Sequence, residues 1–548
     1  LTGLVVLGIQ DKETFPLIVY RKDCADMAIS EEDFTKDFIA SSRALLITGT
    51  HFSSDKTYQT SMKAIEYAKE SDTQVIVDID YRPVLWGLTE LGDGESRFVA
   101  SNDVSLHLQT ILPYCDVIVG TEEEIHIAGG SEDTITALSK IRLLSDSIIV
   151  LKLGPLGCTV ITSDIPNSID DFNVVKGNPV DILNVLGAGD AFMSGFLRGY
   201  LRGESLEKSA NYANASGALV VSRHGCAPAI PGENELLYYI ENAANIPDPT
   251  SDITLNHLHR VSFRSKEEQE VFGFAFDHRK QLTDLAEMYG EDISKITELK
   301  KLFIRSVENS KEKLNIPEKN IGVLIDDTFG EDALNSIAEK AWWVGRPVEL
   351  PGSRPLKFEG QQSIGSKLQS WPLSHVVKCL FYYHPDDSDE LKIKQEQKVK
   401  ELYFACIQSG HQLLLEVIPP SEYEMDEEII PSVLKRFYDL EIKPDWWKLP
   451  ALKDKSWIQV GNIINSYDPH CQGVLLLGLS APIDSVRESF SVAAKYNICK
   501  GFTVGRTIFY EPAKLWMQHK ISDQELVDSV STNYNELIQS WKKYKEEI

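Results

Sequence analysis

This sequence of 548 residues lacks an apolar run long enough to span a membrane and lacks any CxxC pair. Its eight cysteines (24, 115, 158, 226, 379, 406, 471, 499) are scattered, which excludes a disulfide scaffold and points to reduced thiols. The twelve histidines form no ligand cluster, so no protein-bound transition metal is expected. Basic charge is also scarce: 55 Lys and Arg stand against 82 Asp and Glu, a formal net charge of −27. Bulk attraction to nucleic acid or to an anionic membrane is thereby excluded, and any phosphate must meet a local site. The start, LTGLVVLGIQDKETF, lacks the flanks of a signal peptide and has no initiator Met, so a cytoplasmic fragment is expected.

The remaining composition, 43% hydrophobic and 25% charged, is that of a globular protein, and the length calls for two domains. The polar stretch DPTSDITLNHLHR (248–260) breaks the pattern on both sides. It places one domain at 1–245 and a second at 262–548.

In the first domain short apolar runs (ALLITGT, QVIVDID, DVIVG, SIIVLKLG) alternate with helical stretches, which implies an α/β fold with a doubly wound parallel sheet. Ligands of such folds sit beyond the strands' carboxyl ends, where Asp78, Asp80, Arg82, Thr121, Glu124, Lys152 and Gly154 fall. In NVLGAGDAFMSGF (184–196), VDIL just ahead reads as a strand end, and Phe192, Phe196 and Tyr200 mark the face of a helix. Gly187, Ala188 and Gly189 then lie at a helix N-terminus, where free N–H groups accept an anion. A carboxylate there, Asp190, reads either as a plain helix cap or as a base beside a phosphate.

GAGDAFMSGF resembles the second signature of ribokinase-like sugar kinases, DIDYR their D-x-N-x-R stretch and GTEEE their N-x-x-E motif. The resemblance implies that Gly187, Ala188 and Gly189 form the anion hole, that Asp190 deprotonates a sugar hydroxyl, and that Glu124 organises phosphate and magnesium, with ATP and Mg2+ as cofactors. Residues 1 to about 235 are similar to the 5-dehydro-2-deoxygluconokinase branch of inositol catabolism. Thr121 departs from the family's Asn, Val185-Leu186 from its Thr-rich approach to GAGD, and the amino-terminal part of the domain has no counterpart. An incomplete kinase with little sugar phosphorylation is expected.

The second domain has eight short apolar runs in fewer than 290 residues, the count and size of a (β/α)8 TIM barrel with its site at the strands' C-terminal ends. Polar residues mark these runs: Asp277 and Arg279, Asp326, Lys378, Glu416, Lys448, Ser480 and Arg506. A lysine among apolar groups and near a second cation loses proton affinity and can form a Schiff base with a ketone, while a carboxylate moves the protons. Ser480, Gly505 and Arg506 fall at the usual barrel phosphate position, and Trp446 and Trp447 read as packing.

LLLEV, WWKLP and VVKCLFYYHPDD resemble class I aldolases of the tagatose-bisphosphate type. The resemblance implies Lys448 as the Schiff-base lysine, Glu416 as acid and base, and Lys378 as a second lysine, with no cofactor; the alternative for Lys448 is a structural ion pair with Glu416, and Asp277 and Arg279, at the end of the first run, either contact substrate or pair with each other. Together the two resemblances imply a bifunctional enzyme. One half phosphorylates 5-dehydro-2-deoxy-D-gluconate, and the other cleaves the 6-phosphate to dihydroxyacetone phosphate and malonate semialdehyde. The partners are then a small sugar acid and a sugar phosphate, with a homo-oligomer left open. The alternative is a sugar kinase of other specificity carrying a non-catalytic phosphosugar-binding barrel.

Overall fold

Strands that are apolar on both faces must be covered on both faces, and the first half obeys this. In this computed structural model, which describes residues 2–9, 17–90, 98–262, 270–360, 362–424 and 426–547, the chain divides into two units, Leu1–Arg264 and Ser265–Ile548. In the first unit β1 (Leu4–Leu7) and β2 (Leu17–Tyr20) form an antiparallel pair. A six-stranded sheet then runs in the order β3 (Ala44–Thr48), β4 (Gln74–Asp78), β5 (Val117–Thr121), β6 (Ile148–Lys152), β7 (Gly157–Ile161) and β8 (Val174–Lys176).

The four runs read from the sequence are the parallel strands β3 to β6, and one face is covered by the Ala188–Tyr200 helix through Phe192, Met193 and Phe196. The sheet is not parallel throughout. β6 leads into β7 across only Leu153–Leu156, too short for a crossover, so β7 and then β8 add on antiparallel. VDIL is likewise not a strand: Leu183 N–H donates to Val221 O (2.8 Å) at the end of the Leu206–Val221 helix. The polar stretch 248–260 contains most of a helix, Ile253–Ser262, whose Leu255 packs with Leu219, Leu236 and Tyr239 of the first unit.

The second unit is a closed barrel of eight parallel strands. They are β9 (Val271–Ala275), β10 (Ile321–Leu324), β11 (Trp343–Pro347), β12 (His375–Tyr382), β13 (Leu413–Ile418), β14 (Trp446–Leu449), β15 (Gly473–Leu477) and β16 (Cys499–Val504), with β16 paired back to β9. All eight runs read from the sequence supply a strand.

Side chains alternate between the barrel's interior and its helical jacket. The interior floor is an apolar cluster of Val271, Ala275, Leu324, Trp343, Val376, Leu414, Trp446 and Leu475. Moving two residues on from five of these, toward the strands' C-terminal ends, gives Asp277, Asp326, Lys378, Glu416 and Lys448, a polar layer stacked on the apolar one. Trp447, of opposite parity, packs outward against Tyr438.

Candidate functional site

In the first unit the polar residues converge beyond the ends of β4, β5 and β6. Lys152 Nζ lies 3.1 Å from Asp78 Oδ1 and 3.3 Å from Glu124 Oε2. Arg82 approaches Asp80 Oδ1 at 2.7 Å and Glu124 Oε1 at 3.7 Å. Thr121, where an Asn was expected, caps the Glu122–Gly129 helix: its hydroxyl accepts from Glu124 N–H, and Glu124 Oε2 accepts from Thr121 N–H at 2.7 Å.

Burial, the largest influence on each carboxylate here, pushes Asp78 up to about 7, helped by repulsion from Glu124. Glu124 is nevertheless held below the ordinary carboxylate range, because Lys152, Arg82 and the Thr121 N–H outweigh burial. Lys152, although burial opposes its charge, is held above the ordinary lysine range by Asp78 and Glu124.

The glycine turn is the cap of the Ala188–Tyr200 helix, with Asp190 exposed in its first turn. Gly187 has φ 82°, and a Cβ there would lie 2.4 Å from Cys226 Sγ, so the position excludes other residues on two grounds. A Cβ on Gly189 would stand 3.8 Å from Lys152 Nζ. The Lys152 ammonium thus stands beside the helix N-terminus, at which the Ala188 N–H donates to Val185 O (3.3 Å).

In the barrel Asp277, Lys378, Glu416 and Lys448 of the polar layer join Glu349 in one ionic network. Lys378 Nζ is 2.8 Å from Glu349 Oε1, 3.0 Å from Glu416 Oε2 and 3.2 Å from Asp277 Oδ2. Lys448 Nζ is 3.2 Å from Glu416 Oε1. Glu416 therefore bridges the lysines, one oxygen to each, from a strand whose register sets it beside Lys448. Burial opposes every charge here, yet Lys378 is held well above the lysine range by Asp277, Glu349 and Glu416, and Asp277 and Glu416 are held below the carboxylate range by the lysines.

The remaining expected residues are placed as follows. Arg279 is buried and donates to Asp277 O (3.2 Å) and Glu349 O (2.8 Å) rather than to the Asp277 carboxylate. Asp326 pairs with the buried Lys300 and caps the Asp327–Ser336 helix. Ser480 and Arg506 line one cavity of about 670 Å³ with Leu285, Met288 and Tyr510, and Gly505 caps the helix that Arg506 begins. Lys378, Glu416 and Lys448 do not line that cavity.

Three residues escaped the sequence reading. Glu349 lies six positions beyond Trp343 and so shares its interior parity, a signal present in AWWVGRPVEL. His278 stands between Asp277 and Arg279, with its ring edge-on to Phe509 and its Nδ1 buried without a hydrogen bond. Burial and the cations Arg506, Lys378 and Lys448 push it down to about 3. Lys300, on the Lys295–Leu314 helix, carried no signal because it lies in the jacket; it donates to Phe276 O (2.8 Å) and His278 O (3.3 Å), fixing the exit of β9.

Residues 235–545 match the family described as uncharacterized protein conserved in bacteria (DUF2090). The chain belongs to that family. Residues 2–232 match the pfkB family of carbohydrate kinases, so a pfkB-type kinase domain precedes the DUF2090 barrel. The 5-dehydro-2-deoxygluconokinase of Listeria innocua is 29% identical over 246 residues, covering 44% of this chain and 70% of that protein. That of Clostridium tetani is 29% identical over 245 residues, covering 44% of this chain and 67% of that protein. Among solved structures, a Vibrio cholerae fructokinase bound to fructose, ADP and calcium has 22% identity and a TM-score of 0.36, with 44% of this chain and 73% of that chain covered. Among the described residues no helix is long and apolar enough to cross a membrane, and no group of three or more His, Cys, Asp or Glu side chains is arranged to hold a metal ion.

Proposed function

We propose that the chain is a bifunctional enzyme of sugar-acid catabolism, with consecutive reactions in its two units. The kinase unit phosphorylates 5-dehydro-2-deoxy-D-gluconate with ATP, a substrate taken from the relatives it is similar to. The observation that supports this half is the glycine turn facing Lys152. Asp190 takes the proton of the attacking sugar hydroxyl. The backbone of the Gly187-Ala188-Gly189 turn receives the charge of the transferring phosphoryl, with the Gly189 N–H as donor while the Ala188 N–H donates to Val185 O (3.3 Å), and Lys152 adds a fixed cation beside the turn. Magnesium bound with ATP would supply charge neutralisation, and Glu124, whose Oε1 among the described residues meets just the long approach of Arg82 at 3.7 Å, is the carboxylate that would hold it.

The barrel cleaves the phosphorylated product by Schiff-base chemistry, and the bridge from Lys448 through Glu416 to Lys378 carries this reading. The Lys448 amine attacks the ketone carbon and water is lost to give an imine. Glu416 accepts the proton of the hydroxyl two carbons away. The bond between the hydroxyl-bearing carbon and the carbon next to the imine breaks, and its electrons pass into the imine to give an enamine and an aldehyde. Protonation and hydrolysis release dihydroxyacetone phosphate and malonate semialdehyde. Arg506 and Ser480 hold the phosphate.

Borohydride trapping of the full chain with dihydroxyacetone phosphate, followed by peptide mapping, tests the barrel half, with the label expected on Lys448. Transfer of phosphate from ATP to the sugar acid tests the kinase half. One observation favours a second reading, a phosphosugar-binding barrel without catalysis: the cavity lined by Ser480 and Arg506 does not reach the lysines. That reading expects phosphosugar binding with no trapped label.

A further inference from the structure

Glu349 lies in the polar layer, yet nothing above gives it a part in the reaction. Its backbone is fixed from several sides: Arg279 donates to Glu349 O at 2.8 Å, Val348 N–H donates to Lys378 O at 3.0 Å, and Glu349 bridges antiparallel to Phe358. Among the described residues its side chain, buried to 6% exposure, makes one hydrogen bond, Oε1 to Lys378 Nζ at 2.8 Å, and Oε2 is buried with none. A buried carboxylate with an unpaired oxygen costs stability, so its presence calls for a compensating role.

The stoichiometry of the network suggests that role. An ammonium has three N–H groups, and Lys378 faces three carboxylate oxygens, from Glu349, Glu416 and Asp277, within 3.2 Å. Among the described residues Lys448 has a single carboxylate within ion-pair distance, Glu416. Both lysines are buried and both rise from the same layer, so neither burial nor height in the barrel distinguishes the nucleophile. The carboxylate count does, and Glu349 is the member that belongs to Lys378 alone.

We propose that Glu349 is a positioning residue: it pins Lys378 Nζ inside the carboxylate cluster, so that Lys378 serves as a fixed cation and Lys448 alone is left to attack a carbonyl. This rests on the Schiff-base reading of the same site. Without Glu349, Lys378 would keep two neighbouring carboxylates rather than three, and its amine would compete with that of Lys448 for substrate.

The test uses the full chain as wild type, Glu349→Gln, Glu349→Asp and Lys378→Met. Brief acetylation with acetic anhydride at pH 9, quantified peptide by peptide, reports the free amine at each lysine and needs no substrate. Glu349→Gln should raise the acetylation rate of Lys378 by about tenfold or more, the scale of losing one of three neighbouring charges, while Lys448 changes little. Glu349→Asp should return Lys378 most of the way to wild type. In borohydride trapping with dihydroxyacetone phosphate, Glu349→Gln should move part of the label from Lys448 to Lys378, and the Lys378→Met control should show where that part comes from.

Equal acetylation of Lys378 in wild type and Glu349→Gln overturns the proposal. If Glu349→Gln does not fold, Glu349→Ala carries the same comparison, since it also removes the charge: a Lys378 rate above wild type supports the proposal, and a rate equal to wild type overturns it. Absence of any trapped label in wild type counts against the Schiff-base reading and leaves the acetylation result standing on its own.

Discussion

Glu416 Oε1 stands 3.2 Å from Lys448 Nζ, on adjacent barrel strands and in direct register. A carboxylate in that place reaches a proton at the reacting carbon without having to move. Lys448→Met should therefore abolish borohydride trapping yet preserve phosphosugar binding through Arg506. Lys378→Met should slow the reaction by one to two orders of magnitude, about 1.4–3 kcal/mol in barrier, without moving the label. A label found on Lys378 in wild type would reverse the two roles.

In a protein that also carries the amino-terminal part of the kinase domain, Asp190→Asn should reduce sugar-acid phosphorylation by about two to four orders of magnitude, the range for loss of a general base, with nucleotide affinity nearly unchanged. Turnover by steady-state assay and nucleotide binding by calorimetry separate the two effects. Normal turnover would remove Asp190 as the base.

Gly187→Ala tests the turn itself. The substitution puts a side chain at φ 82° and against Cys226 Sγ, so it should destabilise the unit by about 1–3 kcal/mol and weaken ATP binding together. Thermal unfolding and nucleotide titration of one preparation would show whether the two losses coincide. A variant that melts and binds like wild type would contradict the geometry of the turn.

Lys152→Met should cost about 3–5 kcal/mol in chemical denaturation, because Asp78 and Glu124 would be left buried beside each other without their shared cation. Adding Asp78→Asn should recover part of that loss. An additive loss in the double variant would mean that the pair is not coupled.

The two halves differed in how much their sequences disclosed. In the barrel all eight runs became strands, because a strand buried on both sides is apolar for its whole length. Asp277, Lys378, Glu416 and Lys448 stood out as charges inside such runs. Glu349 did not, because it falls beyond Pro347, where the strand ends, and a glutamate there reads as a loop residue; its parity with Trp343 is the signal that places it inside. The charge on Lys300 was illegible because a helix in the jacket normally exposes its lysines, and this one is fully buried. In the first unit β7 and β8 were missed: GCTVI and VVK are short and follow turns rather than helices.

The pH dependence of the barrel's stability should carry the mark of His278. Its folded value is depressed to about 3 from an ordinary 6.5, so the folded state binds fewer protons than the unfolded state in that interval. The stability associated with neutral His278 is present above about pH 6.5 and is lost progressively as pH falls toward 3, at up to about 1.4 kcal/mol per unit. His278→Gln should flatten that part of the acid limb, leaving the loss caused by Asp277 and Glu416 at lower pH. Denaturation midpoints at half-unit steps would measure the difference, and an unchanged slope would mean that His278 is protonated in the folded barrel.

Trp541, on the last helix, donates its indole N–H to Glu270 Oε1 at 3.0 Å, just ahead of the first barrel strand. The beginning and the end of the barrel unit are therefore neighbours, and the ring of strands has no privileged opening. A circular permutant joining the two ends through a short linker, with new termini cut in a surface loop away from the polar layer, should keep the same eight-strand closure. Such a unit is as portable as an insert as it is as a tail. Its position behind a kinase domain is one of several places in a polypeptide where its architecture would fit.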